Sequence, residues 1–267
     1  MPLFQLFLVA VIQGVTEFLP VSSSGHLILL PALSGLQDQG PVIDVAVHVG
    51  TLGAVVIYFW SDVKAGIAGL PRALSGKLDT EDARLAMGLI IATIPVIVIG
   101  FLLHVSGLNE AMRSIKVIGW TMLIFGLVLY WADQRGGTNK TISDWGIGDA
   151  LRMGLWQAVA LIPGTSRSGI TITAGRNLGY AREDAARIAM LMSIPTIAAS
   201  GVLLGLDVAT STNAGLARDG AIAAGFAFVS ALLALSLMMR LLKSVSFTPY
   251  VIYRVILGVI LLTVAYS

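Results

Sequence analysis

The sequence predicts an all-α polytopic membrane protein, built as an inverted-topology repeat in which each half is a re-entrant broken helix pair plus three transmembrane helices. Three observations carry that prediction. Of 267 residues, 56% are hydrophobic and 12% charged, with a mean hydropathy of +0.87. A soluble domain carries about 25% charged residues, so half that share cannot cover a water-facing surface. Apolar runs of membrane-spanning length recur between short polar segments. The order of elements in the first half then returns in the second.

Each element follows from local signals. Residues 3–18 form an apolar helix ending at Leu19-Pro20, marginal for a hydrocarbon core that needs about 20 residues. The stretch lacks a basic n-region and contains Gln13 and Glu17, so it reads as mature structure rather than a signal peptide. Residues 22–35 restart a helix, with Ser22 to Ser24 as natural N-caps and Pro31 and Gly35 as limits. Two short helices around a polar, proline-marked break predict a re-entrant hairpin. Spans follow at 42–60, closed by Tyr58, Phe59 and Trp60, at 83–103 and at 115–131. Between them, 61–82 reads as an aqueous loop, and 104–114 as a polar segment carrying His104, Asn109, Glu110 and Arg113.

After the polar linker 132–147 the pattern starts over. A helix at 148–162 ends at Ile162-Pro163, and a second restarts at 165–178 with Thr165 or Ser166 as N-cap. Spans follow at 184–206, 219–242 and 250–266. The chain is therefore read as a single membrane domain over 1–267, with a first repeat at 1–131 and an inverted second repeat at 148–267. Gln13 aligns with Gln157, and Ser22-Ser23-Ser24-Gly25 with Ser166-Arg167-Ser168-Gly169, at a common offset of 144. Three crossings per half is odd, so the second half enters from the opposite side and the two breaks meet near the midplane. Basic residues are spread over most loops, and charge counting on the sequence alone gives no orientation.

Composition also excludes. A net charge of +2 gives no argument for nucleic acid. The absence of cysteine removes disulfides, thiolate metal sites and a cysteine nucleophile.

The two breaks hold the groups that hydrocarbon would not tolerate unpaired. EFLPVSSSGH supplies Glu17, Ser22, Ser23, Ser24, Gly25 and His26; PGTSRSG and its continuation supply Gly164, Thr165, Ser166, Arg167, Ser168, Gly169 and Thr171. Each break opens a half-helix whose free N–H groups and positive dipole end point inward. With hydroxyl donors and a guanidinium, the sum is an anion site suited to phosphate. Glycines let the backbone approach the anion. A serine-rich helix start alone is an ordinary cap; the acid, the histidine and the arginine make the difference. Glu17 repels a phosphate unless it holds a divalent cation or moves a proton, and with His26 it tilts the reading toward hydrolysis. An inverted-repeat transporter or flippase of a lipid phosphate or other anion would use the same site without chemistry. His48 reads as a polar span residue that could face the site, and His104 as interfacial. Met190, Met192, Met238 and Met239 read as packing or lipid-facing residues.

At these two stretches the chain resembles the bacterial undecaprenyl-diphosphate phosphatase family, over essentially its whole length. The family's (E/Q)-x-x-x-E motif matches Gln13 to Glu17, its P-V-S-S-[ST]-G-H matches Pro20 to His26, and its P-G-x-S-R-S-G-x-T matches Pro163 to Thr171. The resemblance implies a multi-pass enzyme of the bacterial cytoplasmic (inner) membrane, with its active site on the extracytoplasmic side. It would remove the terminal phosphate of undecaprenyl diphosphate and so recycle the lipid carrier of cell-wall synthesis. It also implies dependence on a divalent cation, Mg2+ or Ca2+. The partners are the polyprenyl diphosphate and membrane lipids, with a homodimer as one assembly open to such a chain.

Carried over by position, Glu17 would assist metal binding or proton transfer, and Ser23 or His26 would attack or shuttle a proton, unless water attacks directly. Arg167, with Ser166 and Thr171, would hold the diphosphate; Ser22, Ser24, Gly25, Ser168 and Gly169 complete the expected phosphate cradle. Gln13 stands where many members have a second glutamate. Glu17 would then carry the acidic role alone, with Gln13 adding a neutral oxygen toward the metal.

Overall fold

Prolines set the architecture of both breaks. The computed structural model describes residues 1–35, 37–108, 112–208 and 214–267, without the side chains of 32–34, 203–208 and 214. Asn109 and Glu110 of the predicted polar segment lie outside the described residues. Leu19, kept out of the α region by Pro20, adopts φ −68° and ψ 144° and ends α1 (Leu3–Phe18). The chain restarts as α2 (Ser23–Ser34), which runs through Pro31 and ends at Gly35, whose φ of 69° suits a left-handed cap. Pro31 was expected to limit this helix; a proline removes only one ladder bond, and membrane helices tolerate it where neighbours hold the turn.

The remaining helices are α3 (Gly40–Tyr58), α4 (Trp60–Leu74), α5 (Glu81–Ser106), α6 (Ile115–Arg135), α7 (Ile147–Ala158), α8 (Arg167–Asn177), α9 (Arg182–Val208), α10 (Ala214–Leu241) and α11 (Thr248–Tyr266). Between α7 and α8, Ile162 is extended before Pro163 just as Leu19 is before Pro20. Among the described residues there is no strand. Six helices, α3, α5, α6, α9, α10 and α11, are long and apolar enough to cross a membrane. They coincide with the six predicted spans, and the protein is a polytopic helical membrane protein.

One element departs from expectation. The predicted aqueous loop at 61–82 contains α4, an amphipathic helix. Its charges, Asp62, Lys64 and Arg72, lie toward its two ends, while Gly66, Gly69 and Ala73 are buried against α5. Small and apolar residues at helical spacing carry that face, and a reading by charge overlooked them.

Packing crosses between the halves. α1 lies against α10 and α7 against α5, while α3 meets α9 and α10, and α6 pairs with α11. Two glycines show how close the crossed pairs come. A Cβ on Gly14 would sit 2.7 Å from the Ala227 carbonyl oxygen of α10, and one on Gly154 would sit 2.5 Å from that of Ala92 on α5. Phe18, Met190, Met238 and Leu235 are fully buried in the largest core cluster, where unbranched methionines fill the space beneath the first break.

Alternation of the spans sorts the loops onto two faces. The terminal face carries both chain ends and the starts of α3, α6 and α10, and it is tied by the Met1 ammonium to Asp219 at 2.6 Å. The opposite face carries α4, the 136–146 linker and the starts of α5, α9 and α11. There Arg187 on α9 pairs with Asp62 on α4 at 2.5 Å, and Arg182 with buried Asp133 on α6 at 2.7 Å.

Candidate active site

Both breaks turn on a serine held where serines rarely sit. Ser22 has φ 74° and Ser166 φ 72°, and they are the only non-glycine residues with positive φ among the described residues. Such strain costs about 1–3 kcal/mol per residue and clusters at functional sites. Each serine repays part of it as an N-cap: Gly25 N donates to Ser22 Oγ at 3.4 Å and Gly169 N to Ser166 Oγ at 3.1 Å. Between the alternatives Thr165 and Ser166, the cap is Ser166.

The residues that follow these caps, Ser23 and Arg167, hold equivalent positions at the first turn of α2 and α8, and both reach Glu17. Arg167 Nη2 lies 2.6 Å from Glu17 Oε1. Ser23 Oγ donates to Oε2 at 2.5 Å, and Gln13 Nε2 donates to the same oxygen at 2.8 Å. One carboxylate from the first half is thus gripped by a hydroxyl from its own break and a guanidinium from the other. Two buried atoms beside it have no partner: Arg167 Nη1 and Gln13 Oε1. An unpaired buried polar atom costs about 1–3 kcal/mol. Here a charged donor and a neutral acceptor are held ready on either side of Glu17.

His26 is fixed by two bonds. Its Nδ1 lies 2.7 Å from the Ser22 carbonyl oxygen, which can only accept, so in the neutral ring Nδ1 carries the proton. Nε2 is then an acceptor, and Tyr253 Oη donates to it at 2.5 Å. His48, on α3, is half-buried with its Nδ1 2.7 Å from the Asp44 carbonyl oxygen.

Other predicted residues brace the breaks. Ser168 Oγ donates to the Leu19 carbonyl at 2.9 Å, joining one break to the other. Thr171 Oγ1 donates back to the Arg167 carbonyl at 2.7 Å, so its hydroxyl is turned into its own helix and not toward Glu17. Ser22 and Ser24 face each other at 3.4 Å; Ser24 is exposed, whereas Ser166 is buried.

The brace also includes residues absent from the sequence-based site. Arg254 on α11 is 0% exposed, and no carboxylate pairs with it among the described residues. Its guanidinium donates to the carbonyls of Thr165 at 2.9 Å, Gly164 at 3.1 Å and Pro20 at 3.3 Å, and to those of Thr121 and Met122 on α6. Thr121 Oγ1 donates to the Pro163 carbonyl at 2.6 Å. Gly169 leaves room for this arginine, since a Cβ there would lie 2.8 Å from Arg254 Nη1. The signal was visible: an arginine within the apolar run YVIYRVILG is costly in a membrane and calls for a use. Because Glu17 and Arg167 offset each other, Arg254 leaves the site with a surplus positive charge. With two helix N-termini and an unpaired guanidinium nitrogen, the arrangement binds an oxyanion.

The comparisons agree with that chemistry. The model of the bacitracin resistance protein BacA family matches residues 6–260. The chain belongs to the BacA family. An undecaprenyl-diphosphatase of Ruegeria pomeroyi is 74% identical over 267 residues, covering all of both chains. One of Jannaschia sp. is 71% identical over the same full length. The undecaprenyl-diphosphatase 1 of Rhodospirillum rubrum is 46% identical over all of this chain and 96% of its own. The matched range takes in both breaks.

Proposed function

We propose that this chain is a membrane phosphatase that hydrolyses undecaprenyl diphosphate to undecaprenyl phosphate and inorganic phosphate, the activity for which its full-length relatives are named. The convergence of Ser23 and Arg167 on Glu17 is the observation that carries the reaction. Arg167 Nη1 and the N-termini of α2 and α8 bind the terminal phosphate and stabilise the charge of the phosphoryl-transfer transition state. Ser23 Oγ attacks that phosphorus, its proton passing to Glu17 Oε2. The bond from phosphorus to the bridging oxygen breaks, and undecaprenyl phosphate leaves as an anion that needs no proton. In the second step His26 Nε2 takes a proton from water as the water oxygen bonds to phosphorus. The Ser23 Oγ–phosphorus bond breaks, and Glu17 returns its proton to Ser23.

A divalent cation fits the donor set. The oxygens around Glu17 are hard ligands, and Gln13 Oε1 is buried without a partner. No group of three acidic or histidine side chains gathers there among the described residues, so substrate oxygens would complete the shell. Glu17 and Gln13 would hold the cation, which would neutralise charge on the diphosphate.

The inverted repeat, 1–131 and 148–267 about the 132–147 linker, is supported by the paired strained serines, by the proline breaks and by the crossed packing of α1 on α10 and α7 on α5. Orientation in the inner membrane is supported by charge. Arg113, Lys116 and Arg218 are the basic side chains toward the terminal face; apart from intramembrane Arg167 and Arg254, every other lysine and arginine falls toward the opposite face. The positive-inside rule makes that opposite face cytoplasmic. A site open to the extracytoplasmic side would draw on Asp44 and His48, half-buried polar residues of α3, which starts on the terminal face.

Phosphate release from undecaprenyl diphosphate by purified protein in detergent tests the activity; a transporter would release none. Rapid acid quench with labelled substrate tests the covalent step. Labelled wild-type protein and an inactive Ser23→Ala variant are expected. Absence of label together with an active Ser23→Ala variant would replace serine attack by direct attack of water.

A further inference from the structure

The hydrogen bond from Tyr253 to His26 carries the active site to the lipid-facing surface. The two rings stack with centroids 5.7 Å apart and planes 9° from parallel. His26 lies behind, partly buried, while Tyr253 is 44% exposed and continues the outward apolar stripe of α11 formed by Ile252, Ile256 and Ile260. Across from it on α2, Ser24 is exposed and Ile28 half-buried. Ile28 and Leu257 flank the buried cluster of Leu29, Ile118, Met122 and Leu261 that joins α2, α6 and α11. The Tyr253 ring thus stands between His26 Nε2 and the lipid-facing surface, at the seam where α2 meets α11.

We propose that this seam is a lateral portal for the substrate's polyprenyl chain, and that Tyr253 is a residue that sets preference for lipid-borne over water-soluble diphosphates. The proposal rests on the phosphatase reading. A long polyprenyl chain does not leave hydrocarbon for water, so its diphosphate must reach Arg167 through the side of the bundle. Asp44 and His48, half-buried on α3, would offer water, phosphate and small solutes a separate polar way in. A neutral imidazole nitrogen accepts one hydrogen bond. For Nε2 to serve the reaction, the Tyr253 hydroxyl must give way. Swinging outward puts its apolar ring among lipid chains, where a tyrosine is comfortable. The arriving chain would take the vacated place along Ile28 and Leu257.

The test compares kcat/KM for undecaprenyl diphosphate and for isopentenyl diphosphate, a short water-soluble one, in wild type, Tyr253→Trp and Ile28→Trp. Bulk added at the seam should lower the value for the long substrate about tenfold or more in both variants, and in Ile28→Trp, which does not touch the His26 bond, should change that for the short one by no more than about twofold. Ile28→Trp leaves the His26 hydrogen bond intact, so it separates the portal from simple orientation of the imidazole. Equal losses on both substrates in Ile28→Trp, or no loss on either in that variant, would overturn the portal. A polyprenyl diphosphate with a photoreactive tail gives an independent measurement. Crosslinks within 24–28 and 253–260 are expected, and crosslinks confined to other helices would overturn it. If wild-type protein hydrolyses neither substrate, the phosphatase reading fails, and the crosslinks still report on the seam.

Discussion

At the scale of single residues, a carboxylate held by both a hydroxyl and a guanidinium is a poised arrangement rather than a stabilising one. A buried ion pair recovers little net stability, because desolvation offsets the Coulomb attraction. Its value lies in what happens when an anion competes for Arg167. Arg167→Ala is therefore expected to lower kcat by about 100- to 1000-fold, the usual loss for a preorganised donor to transition-state charge. The variant should still fold but unfold at a lower temperature, because Glu17 is left as a buried unpaired charge; turnover near normal would remove Arg167 from the site. Arg167→Lys keeps the charge but not the planar fork and should fall between the two. Gln13 offers a second handle. Its Oε1 is an unpartnered neutral oxygen beside Glu17, so Gln13→Glu should lower the Mg2+ or Ca2+ concentration needed for half-maximal activity. Titration of activity after chelation measures this, and an unchanged requirement would exclude Gln13 from the cation's shell.

At the scale of elements, the two broken helices were legible because their signals are local. Proline after an apolar helix, serines at the restart and odd counts of spans are all readable in one dimension. The strain at Ser22 and Ser166 was not, since a positive φ is imposed by the chain's return and not by residue type. The α4 helix was misread because charges spread over 61–82 masked the small residues that pack it on α5. Arg254 and Tyr253 were missed because their partners are backbone carbonyls and a histidine 89 to 234 residues away, which no spacing rule reaches. The strained caps yield a signed prediction. Ser166→Ala loses the bond to Gly169 N and keeps a Cβ at φ 72°, so it should destabilise by about 1 kcal/mol or more. Ser166→Gly loses the same bond but relieves the strain, and should cost less. Unfolding of both variants in detergent gives the order; a glycine variant less stable than the alanine one would mean that the strain is not stored at this position.

At the scale of the whole molecule, the site exists only where the halves interlock. Glu17 and Ser23 come from one half and Arg167 from the other. Arg254, from the last helix, holds the carbonyls of both breaks at once. The same interlocking fixes which side each loop faces, so orientation becomes a single two-way question. The cytoplasmic assignment of the α4 and linker face rests on the distribution of basic residues, worth attention because the termini then both lie outside. The chain has no cysteine, which allows a clean answer. Asp38 sits on the terminal face and Asn139 on the opposite face, both exposed. In intact cells, a membrane-impermeant thiol reagent should label the Asp38→Cys variant directly and the Asn139→Cys variant only after permeabilisation. The reverse pattern would place the terminal face, where α3 starts, on the cytoplasmic side. The diphosphate would then be hydrolysed on the inner leaflet, before rather than after its carrier recrosses the membrane. Such a result would leave the Glu17–Ser23–Arg167 chemistry intact while moving it to the other compartment.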